Sequence, residues 1–156
     1  MGRELVAGAK APPFTLLGDG GAKVSLSDFK ESKLVLYFYP KADTPGCTKE
    51  AMEFSRLRAE FVKSGVAILG VSADPVSAQD RFKSKHRLTI ALGSDEAKNV
   101  LKAYEAWGEK SMYGRKFMGV LRKTFLIDGN GRIIRIWLKV RVPGHAREVL
   151  LAARNA

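Results

Sequence analysis

A chain of 156 residues, 46% hydrophobic and 28% charged, can close one ordinary hydrophobic core without a staple, so a single domain over 1–156 is expected. No apolar run reaches the roughly 18 residues that span a bilayer, and the N-terminus lacks the apolar stretch of a secretory signal, which excludes a membrane role and makes the cytoplasm the expected compartment. Lys and Arg outnumber Asp and Glu by 27 to 16, a formal charge of +11 that attracts polyanions, yet the basic residues are scattered, so nucleic acid is not the expected partner.

The chain opens with Met-Gly, but Val6 stands where a myristoylation signal needs Ser or Thr. Residues 14–26 read as two short strands around Asp19-Gly20-Gly21, whose glycines accept positive φ. This Gly-rich cluster lacks the Lys-Ser/Thr ending of a phosphate loop and is a turn. The run LVLYFY, 34–39, is apolar at every position, as in a strand covered on both faces at the centre of an α/β sheet, and Pro40 ends it. From Cys47, apolar residues at 51, 54, 57, 61 and 62 recur at helical spacing until Ser64-Gly65 closes the helix.

The alternation continues. Residues 66–71 form a second buried strand, and 75 to about 85 a second helix, with Asp74 as its cap and Pro75 at its first position. A short strand is expected over 90–92, a third helix over 96–107 and a strand over 124–128. Asp128 to Gly131 turn the chain into a hairpin partner over 132–137, and Pro143-Gly144 leads into a last helix from His145 to about Arg154. With no repeat or linker, the fold class is α/β, a mixed sheet flanked by helices.

Cys47, the only cysteine, follows Thr44-Pro45-Gly46 at the mouth of the first long helix. An ordinary thiol is only about 3% ionised at pH 7, and the thiolate is the nucleophile, so cysteine chemistry needs a site that favours the anion. Unpaired amides and the positive end of a helix dipole do so. Thr44 can offer its hydroxyl to the sulfur or to what the sulfur attacks, and Pro45-Gly46 can turn the chain tightly. An inert, buried cysteine fits the same spacing, and spacing alone does not decide.

The run from Pro40 to Cys47 matches P-x-x-x-T-x-x-C, and with it the sequence resembles the peroxiredoxins. The wider YFYPKADTPGCTKE is similar to the subgroup of bacterioferritin comigratory protein, also called peroxiredoxin Q. Trp107-Gly108-Glu109-Lys110, Met112-Tyr113-Gly114 and the segment from Arg122 to Asp128 resemble it in the same order. The resemblance implies a thioredoxin-like fold and thiol-dependent reduction of hydrogen peroxide and organic hydroperoxides, with no cofactor. By matched position it implies Cys47 as nucleophile, Thr44 as the hydroxyl that orients peroxide, Pro40 as a shielding wall and Arg122 as the guanidinium of the pocket. Substrate would lie against Gly46, Thr44 and Arg122. Glu50, one turn on, pairs with an Arg or favours the helix start.

Met52 stands where many members of the subgroup carry a resolving cysteine, and no later helix supplies one. The expectation is therefore a one-cysteine cycle, in which peroxide makes a sulfenic acid and an external thiol, thioredoxin or glutathione with glutaredoxin, restores Cys47. A monomer is expected, with a weak dimer as the alternative. The competing reading is a peroxide sensor or basic polyanion-binding protein with little turnover. A disulfide oxidoreductase is excluded because C-x-x-C is absent. His86 and His145 read as surface or capping residues, no ligand cluster suggests a metal, and Trp107 and Tyr113 read as cover for core or pocket.

Overall fold

A computed structural model describes residues 5–156; the Met-Gly start weighed as an acylation signal lies outside them. Nine strands and four α-helices follow in the order β1 (Thr15–Gly18), β2 (Lys23–Ser25), β3 (Lys33–Phe38), α1 (Pro45–Lys63), β4 (Val66–Ser72), α2 (Val76–His86), β5 (Ala91–Ser94), α3 (Asn99–Ala103), β6 (Trp107–Met112), β7 (Arg115–Val120), β8 (Lys123–Ile127), β9 (Ile133–Trp137) and α4 (His145–Arg154). Seven strands form one mixed sheet in the order β2-β1-β5-β4-β3-β8-β9, while β6 and β7 pair only with each other.

β3 explains its own unbroken apolar run. It lies between parallel β4 and antiparallel β8, and its side chains alternate between two cores. Val35, Tyr37 and Tyr39 enter the core shared with α1, α2 and α4, with Phe54, Phe82 and Leu150. Leu34, Leu36 and Phe38 enter the opposite core, under α3 and the N-terminal segment, with Leu101, Tyr104 and Phe125. The site end of the sheet, where β3 stops and α1 begins, is thus fixed from both sides. Tyr37 stacks on Phe54 with ring centroids 4.7 Å apart, and it fits because residue 70 is glycine: a Cβ there would lie 2.6 Å from the Tyr37 ring.

Three expectations need correction. Asp74 does not cap α2, which begins one residue later than expected with Pro75 as its N-cap. The Asp74 carboxylate instead accepts the Ala42 backbone N–H (2.8 Å) and the Ser72 hydroxyl (2.6 Å). The third helix is five residues, not twelve, because the buried Asp95 carboxylate folds back onto the Leu101 N–H at 2.7 Å and Glu105 leaves the helical region at φ 57°. Trp107 therefore opens a strand rather than closing a helix. Tyr113 covers nothing: it is 97% exposed at the tip of the β6–β7 hairpin.

Candidate active site

The first turn of α1 builds the site. Thr44 is its N-cap residue in extended conformation, Pro45 and Gly46 are the first helical residues rather than a turn before the helix, and Cys47 is the third. A proline costs nothing there, since its missing N–H would have had no helical partner. The first helical bond is Thr48 N–H to the Thr44 carbonyl at 2.8 Å, so the Gly46 and Cys47 amides belong to the unpaired donors of the helix start. Cys47 itself is 2% exposed, packed with Tyr39 and Ala51 in the α1 core.

Arg122 arrives from between β7 and β8. Its Nη2 donates to Cys47 Sγ at 3.4 Å and its Nη1 to Glu50 Oε1 at 2.6 Å. Gly46 leaves room for this approach, since a Cβ at position 46 would lie 3.3 Å from Arg122 Nη2. Glu50 is 1% exposed, and burial pushes its carboxyl up to about 7 against the pull of Arg122. Arg122 in turn pays desolvation that favours its neutral form, outweighed by Glu50 and the Cys47 sulfur, so its guanidinium stays above its ordinary range. Neither the second Glu50 oxygen nor the buried Tyr37 hydroxyl has a hydrogen-bond partner among the described residues. Burial, then the charge of Glu50, drives the Tyr37 phenol well above its ordinary range, so it stays a phenol.

Of the residues singled out in the sequence, Cys47, Gly46, Glu50 and Arg122 meet directly. The Thr44 hydroxyl is close in sequence but does not donate to the sulfur: its proton goes to the Lys41 carbonyl at 2.8 Å, leaving oxygen lone pairs to offer. Pro40, half-buried, is the first residue past Tyr39, whose N–H donates to the Val71 carbonyl.

The sequence offered no sign of what holds residues 40–44. Tyr39 donates its hydroxyl to Gln79 Oε1 (2.6 Å), and Gln79 Nε2 donates to Ser72 Oγ and the Gly93 carbonyl, a buried network tying the loop to β4 and β5. On the outer side Asp43, at φ 64°, accepts from Lys85 (2.8 Å) and meets His86 (2.7 Å). Hydrogen bonds from His86 and Lys85 hold the Asp43 carboxyl below its usual range.

His145 is not a surface residue. It is buried at the start of α4, bonded to Thr124 Oγ1 at 2.8 Å and edge-on to Phe54 and Trp137. Neither histidine has a hydrogen bond to the sulfur, so no imidazole serves it as a base. Among the described residues no group of three His, Cys, Asp or Glu side chains converges to hold a metal. A single sulfur with a cation on one side and unpaired amides around it can attack an electrophilic atom whose leaving group departs as an anion.

Comparison with known proteins agrees with this chemistry. The AhpC/TSA family model matches residues 7–136. A relative named putative peroxiredoxin bcp, from Coxiella burnetii, is 48% identical over 147 residues, 94% of this chain and 97% of its own. A crystal structure of a cysteine-to-serine mutant of Xylella fastidiosa PrxQ superposes with a TM-score of 0.92 at 38% identity, covering 99% of this chain and 98% of that one. A Xanthomonas campestris bacterioferritin comigratory protein, solved in trapped intermediate and ligand complexes that address its alkyl peroxide reduction, matches with a TM-score of 0.87 at 40% identity over 91% of this chain and 90% of that one. The mixed sheet flanked by helices is the thioredoxin-like arrangement.

Proposed function

Because the chain belongs to the AhpC/TSA family and is a thiol-dependent peroxidase, we propose a role for each residue of the Cys47 site. The Cys47 thiolate attacks the terminal oxygen of hydrogen peroxide or an organic hydroperoxide. An S–O bond forms, the O–O bond breaks, and the other oxygen leaves as hydroxide or alkoxide and takes a proton to become water or alcohol. Arg122 and the Cys47 amide stabilise the charge as it passes from sulfur to the departing oxygen. Thr44 accepts the peroxide O–H, the one role open to a hydroxyl whose own proton is held by Lys41. Gly46 gives substrate and Arg122 their space, Pro40 shields the sulfur, and Glu50 orients the guanidinium.

The sulfenic acid that results has no second cysteine to meet, since Met52 occupies the nearby helical position. An external thiol displaces water from it, forming a mixed disulfide, and a second thiol releases Cys47. Thioredoxin, or glutathione with glutaredoxin, is the reductant, and the protein acts as a monomer in the cytoplasm, where such thiols are plentiful.

The observation that carries this reading is the single guanidinium that binds the nucleophilic sulfur with one nitrogen and a buried carboxylate with the other. The test is the rate at which one equivalent of hydrogen peroxide oxidises Cys47, followed by intact mass with a sulfenic acid trap, beside Cys47→Ser and free cysteine. A rate several orders of magnitude above free cysteine is expected. A rate like that of free cysteine would return the chain to a sensor or a basic binding protein.

A further inference from the structure

A one-cysteine peroxidase must recruit its reductant, and Cys47 is nearly buried, so the partner has to be held over the site mouth. The β6–β7 hairpin stands apart from the main sheet. It pairs with no other strand, and four of the ten large hydrophobic residues exposed among those described lie on it, Met112, Tyr113, Phe117 and Met118. Its tip is a two-residue turn with both φ positive, 53° at Tyr113 and 77° at Gly114. Such turns favour Asn-Gly, and a bulky aromatic in the left-handed region is uncommon. Tyr113 thus sits at the tip against backbone preference and, at 97% exposed, packs on nothing among the described residues.

The hairpin is continuous with the site. β7 ends at Val120, the Leu121 N–H donates to the Ala106 carbonyl, and Arg122 follows. Residues opposite each other in the antiparallel pair share a face, so Lys110 with Phe117 and Met112 with Arg115 lie on one side. Lys110 also feels the site: burial, then the Arg122 charge, pulls its ammonium below its usual range while Cys47 acts against them. Phe117 is five residues from Arg122, on the order of 15 Å along an extended chain, within a partner footprint of about 800 Å² that spans roughly 30 Å. Arg115 and Lys116 flank the apolar tip, and Glu109, the one acidic residue of the two strands, lies 3.8 Å from Lys116.

We propose that the β6–β7 hairpin is the docking surface for a protein dithiol whose reactive sulfur lies on an apolar patch with an acidic rim. This rests on the one-cysteine cycle proposed above. The docked thiolate attacks Cys47–SOH, forming an S–S bond as the S–O bond breaks and water leaves with a proton. The partner's second thiolate then attacks its own sulfur of that bond, the Cys47 thiolate departs, and the partner carries away the disulfide. Apolar contact gives the affinity, and the +11 charge speeds the approach of an acidic partner.

The test compares the wild type with Tyr113→Ser/Phe117→Ser and Arg115→Glu/Lys116→Glu in three assays: single-turnover oxidation by hydrogen peroxide, turnover supported by dithiothreitol, and turnover supported by thioredoxin or by glutaredoxin with glutathione. The expected result is a KM for a protein thiol raised about tenfold in each variant, with the first two assays unchanged and a wild-type KM that rises with salt. Equal KM values in wild type and variants, or turnover by glutathione alone at the rate seen with either protein, would overturn the proposal. So would an equal loss of dithiothreitol-supported turnover, which would make the hairpin part of the site itself, or a wild-type dimer that Tyr113→Ser dissolves, which would assign the hairpin to a second copy. Slow oxidation of the wild type by peroxide would instead sink the peroxidase reading.

Discussion

The Glu50 carboxylate, nearly fully buried, meets Arg122 at 2.6 Å, while its other oxygen has no partner among the described residues. Arg122 is held there by a group whose own charge is costly to bury. Replacing Arg122 with Lys keeps a cation but loses the fork that reaches sulfur and carboxylate together. Single-turnover oxidation of Cys47 is expected to slow on the order of 10²- to 10³-fold in Arg122→Lys, the usual loss when a donor to a developing anion is removed. A rate within threefold of wild type would show that charge alone suffices.

Burial of Glu50 has a pH signature. Its folded pKa, about 7, lies above the ordinary glutamate value, so the folded state binds the proton more tightly than the unfolded chain. The stability this group contributes is therefore present at low pH and lost as pH rises through that window, from about 4.5 to 7, by on the order of 3 kcal/mol. Glu50→Gln removes the titration. Urea unfolding at pH 4.5 and 8 is expected to show the stability difference between variant and wild type moving in the variant's favour at the higher pH.

His145 titrates with the opposite slope. Burial lowers its folded pKa from 6.5 to about 4, so the unfolded chain takes up a proton that the folded one refuses. Its contribution is complete above pH 6.5 and falls on the order of 3 kcal/mol as pH drops to 4. In His145→Gln, which keeps a polar partner for Thr124, the unfolding midpoint should lose less between pH 7 and 4.5 than in wild type. An unchanged acid loss would place the cause elsewhere.

Gly46→Ala separates rate from stability. The added Cβ would stand 3.3 Å from Arg122 Nη2, so the guanidinium must shift by a few tenths of an ångström. Alanine favours a helix over glycine by about 0.5 to 1 kcal/mol, so the unfolding midpoint should hold or rise. Oxidation of Cys47 should slow about three- to tenfold, because small misplacements of a catalytic group are costly. A slow variant that also unfolds more easily would mean that the first turn of α1 is disturbed.

What the sequence made legible was what repeats or punctuates. The unbroken apolar run at 34–39, the Ser64-Gly65 stop and the turn at 128–131 correspond to β3, the end of α1 and the β8–β9 connection. Cys47 with Arg122 was legible only through resemblance, since the two are 75 residues apart and nothing local joins them. The β6–β7 hairpin stayed hidden because both its faces are largely exposed, which erases the alternation of apolar and polar residues, and because its turn is Tyr-Gly rather than Asn-Gly. The Tyr39–Gln79–Ser72 network and the Asp43 clamp were invisible for a different reason. They depend on which strands become neighbours, and Asp74 looked like a helix cap until β4 brought it beside Ala42.

In the one-cysteine cycle proposed above, Met52 at the position a resolving cysteine would fill decides how the molecule ages. Once Cys47 holds one oxygen atom, nothing in the chain can remove it, and the same pocket that received the first peroxide stands ready for a second. Each cycle is then a race between an arriving thiol and another oxidant, whose prize is recovery or irreversible sulfinic acid. The odds of that race are set by the surrounding ratio of thiol to peroxide, so the working life of this protein is counted in turnovers and not in hours.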